Sequence, residues 1–174
     1  IKIYIYYMSL TNFDLHRLCE KMDLPIVGVF SKDELKGVPQ EVGTYYINMS
    51  DSHKAGTHFV CFKIVCDEDR DGYKGKKGKG KDCEAIYFDS FGIDMPNDVR
   101  EYLKNFSPVV WNNRHIQNIQ SEVCGWYCLL FDYALEHQQM DDSYVDDYKR
   151  FLNNWSDDTS TNTKLLKSIF KDIN

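Results

Sequence analysis

The chain predicts an α+β domain, a small mixed sheet packed by helices. Three observations carry that class. Residues 57–66 form a nearly unbroken apolar, β-rich run, which suits a central strand covered on both faces. Residues 122–136 are apolar almost all round, the pattern of a buried central helix. The order along the chain is helix, strands, helix, strands, helices, with no internal repeat and no linker, so residues 1–174 read as one domain.

The elements follow in order. Ile1, Ile3, Ile5 and Tyr7 alternate, which reads as a short strand-like arm. Residues 11–22 predict a helix, with Thr11 and Asp14 as a capping-box pair and Leu15, Leu18, Cys19 and Met22 as its buried stripe. Ser31 caps a single helical turn over 31–35. Residues 43–49 are a strand. The charged, glycine-rich stretch 67–82 is a loop or hairpin tip between the central strand and a return strand at 85–89. Pro96 opens a helix over 96–106, with Val99, Tyr102, Leu103 and Phe106 on one face. Short strands are expected at 109–111 and 115–117. Two helices, 144–155 and 164–173, follow the buried one.

At 174 residues, 43% hydrophobic and 28% charged, the chain is long enough to bury a substantial core and reads as globular. No stretch has the apolar length needed to span a bilayer, and residues 1–7 lack the basic start and cleavage site of a secretory leader, so a membrane or secreted protein is not expected. Six cysteines without framework spacing are read as reduced, buried thiols of an intracellular protein, Cys124 excepted. A net charge of −6 argues against a nucleic-acid platform. Lys74, Lys76, Lys77, Lys79 and Lys81 could touch nucleic acid. Lysine mixed with glycine and lacking arginine reads better as a solvated hairpin tip, so nucleic-acid binding is doubtful. No metal site is expected: Cys61 and Cys66 fall on opposite faces of a strand, and Cys124 and Cys128 lack a second pair at ligand spacing.

Cys124 is where the chemistry concentrates. It follows the polar turn Gln117-Asn118-Ile119-Gln120-Ser121-Glu122 and opens the apolar helix, with Ser121 as the expected N-cap. The positive end of a helix favours thiolate over thiol, which makes the sulfur a nucleophile. Cys128, one turn deeper, reads as core. His58 sits where the polar stretch 51–56 meets the central strand, a place where an imidazole can reach both solvent and a thiol. His115 is the runner-up base; His16, His53 and His137 read as surface residues. Asp89, at the end of the return strand, could fix the imidazole tautomer, with Asp94 as reserve. A side-chain amide at Gln117, or alternatively Gln120, could join the Cys124 backbone N–H in holding an oxyanion.

Gly56-Thr57-His58-Phe59, then Tyr87-Phe88-Asp89-Ser90-Phe91-Gly92, then Ile116-Gln117 and Val123-Cys124-Gly125-Trp126-Tyr127-Cys128 together resemble the adenovirus-type maturation proteases, the adenains. The similarity is greatest to the versions carried by virophages and Maverick/Polinton elements, and residues 27–35 share it. It covers about residues 10–135. The resemblance implies a papain-like active site in the chain order His, acid, Cys: His58 as base, Asp89 as orienting acid, Gln117 as oxyanion donor, Cys124 as nucleophile. It also implies cleavage of viral capsid or core precursors at glycine-containing sites during particle maturation, in the virion and the host-cell cytoplasm. Many members carry Trp after the histidine. Phe59 stands here instead, with a weaker cation–π face and no N–H. Adenovirus enzymes are activated by DNA and by a peptide that adds to the sheet; the acidic chain argues against the DNA, and residues 1–7 could supply such a strand in cis.

The expected activity is therefore a monomeric, cofactor-free cysteine endopeptidase. Removal of ubiquitin-like tags, which also end in glycine, is an alternative on the same scaffold. A non-catalytic binding module or structural virion protein is the alternative from another class, and the joint presence of Cys, His, acid and Gln speaks against it.

Overall fold

The computed structural model describes residues 9–66, 83–137 and 143–172. The alternating residues 1–7 and the lysine-rich run at 74–81 lie outside the described residues.

Helix α1 (Asn12–Lys21) begins as expected. The Thr11 hydroxyl accepts the Asp14 N–H at 3.2 Å, and the Asp14 carboxylate accepts the Thr11 N–H at 3.0 Å. Strand β1 (Ile26–Ser31) follows and was not expected. It is a half-buried edge strand whose Gly28 sits at a register shift, so it carries neither clean alternation nor a continuous apolar run. A 3-10 helix (Lys32–Gly37) comes next, its start fixed by the Ser31 N–H donating to Glu34 at 2.6 Å.

Strands β2 (Gly43–Asn48), β3 (Phe59–Cys66) and β4 (Cys83–Phe88), helix α2 (Asn97–Leu103) and strand β5 (Val109–Trp111) lie where the sequence put them. Helix α3 (Cys124–His137) starts two residues later than expected, at the cysteine itself. Helix α4 (Tyr144–Asn153) is capped by Ser143, which accepts the Asp146 N–H at 3.1 Å. Helix α5 (Thr159–Ile169) starts earlier than residue 164, because Asp158 caps a Thr/Ser/Asn turn that reads as loop in sequence. A short 3-10 turn (Phe170–Asp172) ends the described chain. Residues 115–117 are not a strand; they belong to an irregular segment between β5 and α3.

The five strands form one sheet in the order β1-β2-β3-β4-β5. The two outer pairs are parallel and the two inner pairs antiparallel. Alternation sorts the side chains into two cores. Tyr46, Phe59, Cys61, Val65, Ile86 and Phe88 face α1, α3, α4 and α5. Tyr45, Ile47, Val60, Phe62, Ile64 and Tyr87 face α2 and the first 3-10 helix. Both faces of the sheet are thus covered, as the apolar run in β3 predicted.

Two features depart from the sequence reading. Cys66 and Cys83, directly opposed across β3 and β4, form a disulfide, so these two are not free thiols. Cys19, Cys61, Cys124 and Cys128 are free and buried. The second is a buried charge cluster inside the α3 face. Lys63 Nζ lies 3.2 Å from Asp132 Oδ1, 3.0 Å from Glu136 Oε2 and 3.0 Å from Thr44 Oγ1. Tyr46 donates to the other Asp132 oxygen at 3.0 Å. An odd-numbered position in β3 points at α3, so Lys63 cannot reach solvent and needs these partners.

Candidate active site

The start of β3, the end of β4 and the first turn of α3 share one edge of the molecule. His58 directly precedes β3 and Asp89 directly follows β4, and their antiparallel pairing brings the two together. His58 Nε2 donates to Asp89 Oδ1 at 2.9 Å. The same oxygen accepts the Phe91 N–H at 2.8 Å, and the carboxylate is almost wholly buried. The backbone of Asp89 is held in turn by Asn112, whose amide accepts the Asp89 N–H at 3.1 Å and donates to the Asp89 carbonyl at 2.7 Å. Tyr148 from α4 donates to that same Asn112 oxygen at 3.1 Å.

Burial alone would lower the His58 pKa. The hydrogen bond to Asp89, then interaction with the Cys124 sulfur and the charges of both groups, outweigh it and raise the value to about 9. The Phe91 ring stacks on the imidazole with centroids 4.6 Å apart, a contact that suits a charged ring. Phe91, not Phe59, shields the histidine here; Phe59 is buried in the α3-facing core.

Cys124 is the first residue of α3, and no acid lies in that first turn. Val123 stands at the capping position, its carbonyl accepting the N–H groups of Trp126 and Tyr127 at 3.1 and 3.2 Å. Ser121 is not the cap: its hydroxyl turns back to the Asn118 carbonyl. The first N–H groups of a helix have no intrahelical carbonyl, so Cys124 N–H is of the kind that can serve an anion. The sulfur accepts the Phe59 N–H at 3.3 Å. Gly125 packs closely on Leu10, whose side chain would lie 3.1 Å from a Cβ placed there.

Gln117 is fully buried. Its Oε1 accepts the Ser90 hydroxyl at 2.6 Å and its Nε2 donates to the Ser121 carbonyl at 2.7 Å. The irregular segment carrying it is tied to the C-terminal helices: Arg114 donates to the carbonyls of Leu152 and Trp155, both at 2.9 Å, and Asn162 donates to the Ile116 carbonyl at 3.0 Å. The reserve residues lie elsewhere. His115 is exposed and meets the edge of Phe91, at 5.8 Å between centroids. Asp94 is exposed and paired with Arg100 at 3.0 Å. Gln120 is exposed.

Three contributors were not foreseen: Ser90, Asn112 and the stacking ring of Phe91. Ser90 and Phe91 lay within the motif around Asp89, while nothing in the polar run at 112–114 marks Asn112 out.

Chemically, the arrangement can polarise a thiol with an imidazole held by a buried carboxylate, beside a helix start and a fixed amide. Among the described residues no group of His, Cys, Asp and Glu side chains could hold a metal ion, and no helix is long and apolar enough to cross a membrane.

No family model matches the chain, and no curated protein matches it. Among solved structures it is similar to the ASFV pS273R protease, at TM-score 0.52 and 16% identity, over 93% of this chain and 66% of that one. A selenomethionine structure of the same protease gives TM-score 0.49 and 17% identity, over 94% of this chain and 68% of that one. The chain therefore has the α+β fold of that viral protease and spans about two thirds of its length.

Proposed function

We propose that the chain is a viral cysteine endopeptidase of the adenain type. The observation that carries this reading is His58, whose Nε2 is held by a buried carboxylate at 2.9 Å and whose buried Nδ1 has no hydrogen-bond partner among the described residues, next in chain to Phe59, which donates its N–H to the Cys124 sulfur at a helix start. In the proposed reaction the Cys124 thiolate attacks the scissile carbonyl. The Cys124 N–H and the Gln117 amide hold the oxyanion, and the His58 imidazolium gives its proton to the leaving amine. His58 then takes a proton from water, which attacks the thioester and releases the second product, returning free enzyme.

The substrates proposed are capsid and core precursors of the same virus, cut at glycine-containing sites during maturation in the virion and host-cell cytoplasm. Within the adenain group, the motifs around His58, Asp89 and Cys124 support the versions of virophages and Maverick/Polinton elements. The test is incubation of the protein, and of Cys124→Ala, with its own virus's capsid precursor. Discrete fragments from the wild type alone support the reading. An intact precursor, or cleavage only of a ubiquitin-like fusion, overturns it.

A further inference from the structure

The dipeptide Asp89-Ser90 touches both halves of the site. Asp89 holds His58. Ser90, fully buried, donates its hydroxyl to Gln117 Oε1 at 2.6 Å, and its carbonyl accepts the N–H groups of Ile116 and Gln117, both at 3.0 Å. A carboxamide can be seated either way round, and its partners decide which. The Ser121 carbonyl can only accept, so it demands the NH2 end at 2.7 Å. The opposite seating would set two acceptor oxygens against each other. With Oε1 occupied by the Ser90 proton and one N–H on Ser121, the amide has one N–H left over for a substrate oxygen.

We propose that Ser90 is the positioning residue of the oxyanion donor. Its hydroxyl locks the orientation and place of the Gln117 amide, and Ser90 itself touches no substrate. Asp89 and Ser90 are neighbours in one turn, closed by the Gly92 N–H donating to the Asp89 carbonyl at 2.9 Å. Base and oxyanion donor are therefore set by a single short piece of chain. The inference rests on the cysteine-hydrolase reading above.

Two reactions of the same sulfur separate the roles. Acylation by p-nitrophenyl acetate passes through an oxyanion, whereas alkylation by iodoacetamide is a displacement that forms none. Both would be measured for wild type, Ser90→Ala, Gln117→Ala, the double variant and Ser90→Thr. Gln117→Ala is expected to slow acylation about 10²-fold and Ser90→Ala about tenfold. The double variant should be no slower than Gln117→Ala, because Ser90 acts only through that amide. Alkylation of Ser90→Ala should stay within about twofold of wild type, which also reports a folded site, and Ser90→Thr, which keeps the hydroxyl, should recover acylation. Wild-type acylation rates in Ser90→Ala, additive losses in the double variant, or alkylation falling in parallel would overturn the positioning role alone. A wild-type Cys124 that alkylates no faster than an ordinary thiol overturns the hydrolase reading and this inference with it.

Discussion

The backbone N–H of Phe59 donates to the sulfur of Cys124 at 3.3 Å. The residue after His58 thus also holds the Cys124 sulfur, so the start of β3 fixes the two groups that the proposed mechanism uses relative to each other. A sulfur so placed meets an N–H dipole at a helix start, while the Cys61 and Cys128 sulfurs face backbone carbonyls, at 4.0 and 3.5 Å. Burial pushes Cys19 up to about 12 and raises Cys61 and Cys128 as well.

Limited iodoacetamide treatment of the native protein near neutral pH should therefore modify Cys124 alone. Peptide mass spectrometry reads the site directly. Equal labelling of Cys19, Cys61 or Cys128 would show that the surroundings of Cys124 do not single it out.

The raised pKa of His58 fixes a pH dependence. Its charged form is stabilised in the fold, so its contribution to stability is fully present below about 6.5 and is lost as pH rises through about 9. In the proposed mechanism the His58 imidazolium protonates the leaving amine, so its loss over the same range puts the alkaline limb of kcat/KM near pH 9. Asp89→Asn removes the strongest of the influences that raise the value. The limb should move to lower pH and the rate should fall by about 10²-fold or more. A pH–rate profile unchanged in Asp89→Asn would remove the carboxylate from the mechanism.

Lys63→Met keeps the length of the side chain and deletes its charge. Asp132 would be left buried beside Thr44 and Tyr46 without its cation, at a cost of about 3–5 kcal/mol. Urea unfolding of variant and wild type measures it. A change under 1 kcal/mol, taken as about the worth of an exposed pair, would show that the cluster is not held as described.

Gly92 has φ +66°, and a Cβ there would lie 2.5 Å from the Arg114 carbonyl oxygen. Gly92→Ala should destabilise by about 1–3 kcal/mol. Because the strained turn carries Asp89 and Ser90, acylation by p-nitrophenyl acetate should drop more than thermal stability alone explains. Full activity in Gly92→Ala would mean the turn can shift without disturbing the site.

Much of this was legible in the chain because it is local. The capping box of Thr11 and Asp14, the two-sided burial of β3 and the cysteine at the head of an apolar helix are written in neighbouring residues. The pairing of His58 with Asp89 was legible only as a set of suitable residue types, since a contact across 31 positions depends on strand register. What stayed hidden is long-range and polar. Lys63 and Asp132 each look like a flaw in an apolar segment until β3 packs on α3. Asn112 gains its role only when β5 lies beside β4 and Tyr148 closes behind it. Ser121 misled because its hydroxyl donates to the Asn118 carbonyl and the helix begins only at Cys124. The Cys66–Cys83 bridge was missed because the two residues become neighbours only through the β3–β4 register.

The pairing of Cys124 with His58 is tested most directly by following the His58 ring through a pH titration by NMR, in the wild type and in Cys124→Ala. The ring should titrate near pH 9 in the wild type and distinctly lower once the sulfur is gone. Titration at the ordinary histidine value in both proteins would contradict the pairing, and with it the nucleophile assigned to Cys124.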